Sequence, residues 1–342
     1  MKKIRLLLSF LFVVIAFTAR SQPKAIDSIR FFTDESIVDI SLSTNIKELQ
    51  DVKGDEIYQP ADISFRFADS SIVTEKIRIA ARGHFRRETC IIPPLLLNFH
   101  NETSPFLSRL GKLKLVIGCG TGSADEQLIL KEYLAYKIYN LLTPKSFRVR
   151  LVRVNYNDTR GRLKPFTQYA FFIEDDKDMA ERNGCEKRDK AQFLTESTDR
   201  ETMTMVAVFE YMISNGDWSV PNNHNIKLIF QKHEQRVPYA VPYDFDHSGF
   251  VNAGYATPNP ILGTETVTER VYRGFPRTMA ELQAVFDVFR RNKEAITSLI
   301  MNFSLLSSRT RKDAVAYINE FYSTINDRRD VQFIFIDNAR DK

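Results

Sequence analysis

A strand-rich first half followed by a helical second half predicts an α+β fold for this chain of 342 residues. Three observations carry that expectation. Between Ile37 and Ile117, short runs of Ile, Leu, Val and Phe recur between turn-forming residues, as half-buried strands do. After Asp178 the apolar residues instead recur at three- and four-residue spacing, the period of helices. No internal repeat and no linker rich in Pro, Gly or Ser separates the two parts, so a ligand cleft is expected where they meet. A charged fraction of 27% beside 26 Phe and 13 Tyr excludes a disordered or low-complexity chain.

Taken in order, the chain opens on an address. Lys2, Lys3 and Arg5 precede an apolar run from Leu6 to Phe17, and Ala19-Arg20-Ser21 places small residues where a signal peptidase reads them. The run is shorter than the ~20 apolar residues a membrane span needs. Residues 1–21 are therefore expected to be a signal peptide, residues 22–342 the mature chain, and its location periplasmic or extracellular. The net charge of +5 is largely that address: taking four basic residues from 48 leaves 44 against 43 acids. The mature chain at +1 gives no reason to expect a nucleic-acid partner, and it offers no integral membrane segment. In an oxidising compartment Cys90 and Cys119, each beside a strand-like segment, are expected to pair and leave Cys185 free.

Strands are expected at Ile37–Leu42, Ile63–Phe67, Ile77–Ala81, Leu95–Phe99 and Leu113–Ile117. Leu130, Leu134, Ile138 and Leu141 then share one face of a helix that Thr143-Pro144 ends. Phe147–Val154 alternates apolar residues with Arg148 and Arg150, and Phe166–Ile173 runs into an acidic turn, Glu174 to Asp178. That turn, and the pairs Arg86-Arg87 and Arg148/Arg150, are expected to face solvent. A helix at Thr202–Ser214 delivers the chain to Asn215-Gly216-Asp217, and a hairpin of Ile226–Phe230 and Arg236–Val241 follows. Two amphipathic helices close the chain, one built on Met279, Leu282, Val285, Phe286 and Phe289, the other on Ala314, Tyr317, Ile318 and Phe321.

Two segments could carry chemistry. Gly118-Cys119-Gly120-Thr121-Gly122 after a strand looks like the glycine loop of S-adenosylmethionine methyltransferases. Val116 stands where an acid is usual there, no ribose-binding acid ends the next strand, and no βαβα alternation follows, so a glycine turn is expected. The stronger segment brackets the hairpin. Asp217, Asn222 and Asn225 precede it, and Asp244 and Asp246 follow it; a hairpin brings its ends together, so these oxygen donors can converge. Carboxylates with a side-chain amide suit Mg²⁺ or Mn²⁺, the cations of phosphoryl transfer.

Here the chain resembles the spore-coat-protein-H (CotH) kinase-like family. The resemblance rests on Ala81-Arg82-Gly83-His84-Phe85, Glu132 to Lys137, Asn215-Gly216-Asp217, His224-Asn225-Ile226 and Pro242-Tyr243-Asp244-Phe245-Asp246, in family order over about residues 75–255. It implies an atypical protein-kinase-like two-lobed fold, with a β-rich N-lobe over about 30–175 and a helical C-lobe over about 176–342. It also implies transfer of the γ-phosphoryl of ATP to protein hydroxyls with Mg²⁺ or Mn²⁺. Asp217 would be the catalytic residue; Asn225 or Asn222, Asp244 and Asp246 would hold metal. Glu132 would steady a phosphate-binding lysine. The family's usual strand position, Pro94 to Asn98, has no basic residue, which leaves Lys112 or Lys114 for that role beside Arg82. Two other classes stay open: a catalytically silent binding module at the cell envelope, and a metal-dependent hydrolase using the same carboxylates with His224 and His247.

Overall fold

A computed structural model describes residues 28–52, 54, 56–83, 90–100, 107–188, 192–232 and 237–340. The expected signal peptide, the pair Arg86-Arg87 and most of the β-hairpin turn lie outside them. Helix α1 (Ser28–Thr33) adds Phe31 and Phe32 to the same core as strand β1 (Val38–Thr44), which buries Val38, Ile40 and Leu42 and leaves Asp39, Ser41 and Ser43 less covered. Asn45 caps the short α2 (Ile46–Asp51) by accepting from the Glu48 amide. Strands β2 (Gln59–Arg66), β3 (Ile72–Ala81), β4 (Leu95–Asn98) and β5 (Lys112–Val116) follow as an antiparallel series. Helix α3 (Ser123–Leu142) leads to β6 (Val149–Asp158) and β7 (Phe166–Ile173).

These seven strands close into a barrel in the order β1-β2-β3-β4-β5-β7-β6, and β6 returns to β1 in parallel from Val38↔Val152 to Thr44↔Asp158. The expected α+β, kinase-like two-lobed fold is corrected by this closure. β1, the first strand, supplies the partner that satisfies the edge of β6, so the strand-rich half is a closed barrel and not the expected β-rich lobe. Phe65, Phe99 and Phe172 pack inside the barrel with ring centroids 6.0–6.4 Å apart, and Phe31 joins them from α1.

The outer wall of β6 and β7 is covered as well, which is why both faces of Phe166–Ile173 are apolar. Phe172 enters the barrel, while its neighbour Phe171 meets Tyr133 and Tyr136 of α3 at 5.9 and 5.6 Å. From there a second core extends through α4 (Asp176–Arg182), α5 (Arg200–Ile213) and a three-stranded sheet of β8 (Cys185–Lys187), β9 (Ile226–Gln231) and β10 (Tyr239–Pro242). Helices α6 (Met279–Met301), α7 (Ser308–Asn326) and α8 (Arg328–Val331) complete it. A reciprocal capping box, Thr278 with Glu281, starts α6.

Two expectations about surface charge fail. Arg150 is 2% exposed, because α1 and the turn after it cover it: it donates to Phe31 O and to Ser36 Oγ and pairs with Asp34. The acidic segment is not a solvated turn either. Glu174 is 1% exposed and Asp176 opens α4 with its carboxylate among three lysines. Cys90 and Cys119 form a disulfide and Cys185 is free, as expected. The glycine turn is filled by the protein itself: the Gly120 amide donates to Asp125, Gln168 donates to Gly120 O, and a Cβ at Gly118 would lie 2.5 Å from the Gln168 amide.

Candidate functional site

Helix α5 ends at Ser214 in a left-handed conformation, φ 52°, held by its hydroxyl donating to the carbonyls of Val267 and Glu269 at 2.8 and 2.7 Å. The loop beyond it is built from its own backbone. The Asp217 amide donates to Asn215 Oδ1 at 3.0 Å, and Arg273 donates to the carbonyls of Gly216 and Trp218 while its guanidinium covers the Trp218 ring. Ser219 and His224 exchange two backbone bonds of 2.9 Å, closing a tight loop. Its exit needs two left-handed residues, Asn223 (φ 50°) and Asn225 (φ 52°), types that adopt this conformation more readily than most.

Asn225 is where the loop and the hairpin join. Its side-chain amide donates to the carbonyl of Asp217 at 2.7 Å and to Asp217 Oδ2 at 3.1 Å, and its own carbonyl accepts from the Tyr243 amide at 3.0 Å. Asp244 follows in a left-handed conformation, φ 65°, with its amide donating to Tyr136 Oη at 2.8 Å. Phe245 fills the core between Tyr136 and Phe209, and the buried Asp246 accepts from Tyr255 Oη at 3.0 Å. The hairpin thus brings Asp217, Asn225, Asp244 and Asp246 to one end of the second core. Asn222 stays exposed on the loop. His224, read as a possible metal ligand, places Nε2 2.8 Å from Asp217 Oδ1.

Around the ring of Tyr243, the residue before Asp244, lies a patch of positive charge that the sequence showed only in part. Lys114 of β5 lies 3.5 Å from Asp176, and Lys227 of β9 lies 3.4 Å from the same carboxylate. Both ammonium groups sit 5.3 Å from the centre of the Tyr243 ring. Burial holds the Lys114 ammonium below its usual range; Arg82 and Lys227 push the same way and Asp176 opposes them. The cost of burying Asp176 is overcome by Lys114, Lys227 and Lys187, which keep its carboxyl below the ordinary value. Tyr243 is pushed up to about 12, by burial first and then by Asp244 and Asp176. Burial raises Tyr136 too, with Glu132 and Asp244 adding to it and Arg82 opposing. Arg82, Glu132, Lys114 and Asp244 therefore share one neighbourhood. Lys112 does not join it, for it pairs with Glu56 at 3.0 Å on the exposed side of the barrel.

The sequence reading missed Lys227, Asp176, Tyr136 and Tyr255. The available signal was weak: Lys227 lies two residues after Asn225, at the start of a strand whose partner leads to Asp244. Beside Asp217 opens a cavity of about 270 Å³, with His247, Thr257, Leu262, Thr264 and Thr266 among its walls.

Among the described residues no group of three or more His, Cys, Asp or Glu side chains is arranged to hold a metal ion. The donors present fit a smaller demand: Mg²⁺ takes one or two carboxylates and leaves its other positions to water and substrate phosphate. Asp244, Asp246 and the Asn225 side chain are the oxygen donors available for that. The anion's side of the fit rests on Arg82, whose Nη1 is buried without a hydrogen-bond partner among the described residues. No helix among the described residues is long and apolar enough to cross a membrane. Compared with models of known protein families the chain matches none, and it matches no curated protein.

Proposed function

We propose that this chain is an exported phosphotransferase that moves the γ-phosphoryl of a nucleoside triphosphate to a hydroxyl on a protein, with Mg²⁺ or Mn²⁺. The observation that carries the reading is one juxtaposition. Tyr243 joins two sets: its amide donates to Asn225, which holds Asp217, and Asp244 follows it in the chain, while the Lys114 and Lys227 ammonium groups lie 5.3 Å from its ring and Arg82 acts on its hydroxyl. Phosphoryl transfer needs both halves, one for the cation and one for the phosphates. The disulfide supports an oxidising compartment.

Asp217 is suited to take the acceptor proton. Its side chain is 38% exposed beside the cavity, and Asn225 and His224 hold one oxygen each, which orients the carboxylate. In the transfer the acceptor oxygen bonds to phosphorus as the bond to the leaving diphosphate breaks, and the hydroxyl proton passes to Asp217. His224, 53% exposed, offers that proton a route to solvent. Arg82, Lys114 and Lys227 hold the phosphates by charge and hydrogen bonds, so catalysis rests mainly on positioning. Asp244, Asp246 and Asn225 would hold the divalent ion, which when bound would supply neutralisation of phosphate charge.

The test is incubation of residues 22–342 with ATP and Mg²⁺ or Mn²⁺, read by mass spectrometry of the chain and of a generic protein substrate. Phosphate transfer is expected, abolished by EDTA and reduced at least a thousandfold in Asp217→Asn, which keeps its melting temperature within a few degrees. Neither transfer nor nucleotide-dependent thermal stabilisation would overturn the reading. Release of phosphate from simple phosphoesters without nucleotide would replace it with a hydrolase that uses the Asp217–His224 pair.

A further inference from the structure

A second cavity, of about 490 Å³, opens where the C-terminal end of α3, the start of β6, α1 and the end of α4 meet. It shares no lining residue with the Asp217 site. Phe32, Leu141 and Pro144 form apolar walls, and Lys137, Arg148 and Arg182 bring three cations to it. The acids nearby are already engaged. Glu174 takes Arg182 through both oxygens, Nε to Oε1 at 3.0 Å and Nη2 to Oε2 at 2.8 Å, and Oε2 also accepts the Arg148 amide. Glu35, which also lines the cavity, is 73% exposed and pairs with Lys137.

Arg182 is satisfied, because its remaining bonds go to the carbonyls of Pro144 and Ser146. Arg148 is different. Its Nη1 is buried and has no hydrogen-bond partner among the described residues. Its guanidinium is destabilised by burial and by the neighbouring Arg182, and only Glu174 opposes. A desolvated N–H with no acceptor, next to a second guanidinium, is costly in a native structure unless something completes it.

We infer that this cavity is a binding site for a small organic oxyanion, a carboxylate or a phosphate monoester on a compact apolar group. The planar fork of Arg148 matches two oxygens of such a group, Lys137 of α3 adds charge, and Phe32 and Leu141 receive the apolar part. The site stands apart from phosphoryl transfer and does not depend on that reading.

The test is calorimetric titration of the full chain with benzoate and with phenyl phosphate, EDTA being present so that no cation bridges phosphate to the Asp217 site. Benzamide serves as the uncharged control. Saturable one-to-one binding of at least one anion is expected, with none for benzamide and a tenfold or greater weakening in Arg148→Gln. Tighter binding of benzoate identifies the carboxylate as the natural group; tighter binding of phenyl phosphate identifies the phosphate. Without ligand, Arg148→Gln is expected to melt no lower than the native chain, since a purely structural arginine would be missed. Should Arg148→Gln fail to fold, Lys137→Gln on α3, at a partly buried side chain, reads the same site and is expected to weaken binding severalfold. No saturable binding by either anion, or undiminished binding by both variants, would overturn the inference.

Discussion

Glu210 shows how far one buried group can govern behaviour. It lies fully buried in α5, neither oxygen has a hydrogen-bond partner of good geometry among the described residues, and its carboxyl is pushed up to about 8. Burial is the cause, with Asn215 and Arg273 pulling the other way. The folded chain holds this proton from its ordinary value of 4.5 up to about 8, whereas the unfolded chain releases it. Stability is therefore fully present below that window and is lost as pH rises through it, by at most about 1.4 kcal/mol per pH unit. Urea melts at pH 5, 6.5 and 8 should show this slope in the native chain and a much flatter one in Glu210→Gln. Asp244 makes a second residue-scale case. Its left-handed backbone costs about 1 kcal/mol that glycine does not incur, so Asp244→Gly should be as stable as the native chain or up to about 1 kcal/mol more stable. Phosphoryl transfer should nevertheless fall at least a hundredfold in that variant, measured in the same ATP assay. The acids around the hairpin were legible in the sequence because one β-turn connection juxtaposes them. Lys227 and Asp176 were not, since 51 positions separate them and only the packing of α4 against β9 makes them an ion pair.

At the scale of elements, strand and helix periods were readable where one face is buried and one is wet, as in β1, α6 and α7. They misled where both faces are covered. β6 buries Arg150 beneath α1, and alternation alone cannot distinguish an arginine facing water from one capping carbonyls. Short elements such as α1, α2 and α4 left no period at all, being six or seven residues long. The link most open to a direct test is the disulfide. It ties the segment before β4 to the turn between β5 and α3 across a sequence separation of 29, and the Ile91 amide donates to Cys119 O beside it. Closing a loop of that length removes unfolded-state entropy worth about 3–4 kcal/mol. The paired variant Cys90→Ser with Cys119→Ser should lose that much in urea denaturation, and the native chain should lose a similar amount in reductant. A loss below about 1 kcal/mol would mean that the flanking strands already hold the two ends together.

For the whole molecule the decisive feature is closure of the barrel, which the sequence did not disclose because parallel pairing of β1 with β6 joins segments far apart in the chain. In an open sheet with β1 at the edge, alternate amides would face water, and proline would be tolerated at one of any two neighbouring positions. With β2 on one side and β6 on the other, Asp39 and Ile40 both belong to ladders. Asp39→Pro and Ile40→Pro should each destabilise the chain by at least about 1–3 kcal/mol in urea melts. Survival of either would show an open edge. The same pairing has a consequence in time. Val38 lies 114 residues ahead of its partner Val152, so it emerges first wherever the chain is delivered N-terminus first. β2 can cover one edge of β1 early; the other edge waits for β6. The strand that comes first is thus expected to be sealed among the last, because pairing across 114 residues carries a loop-closure cost that the hairpin pairings do not.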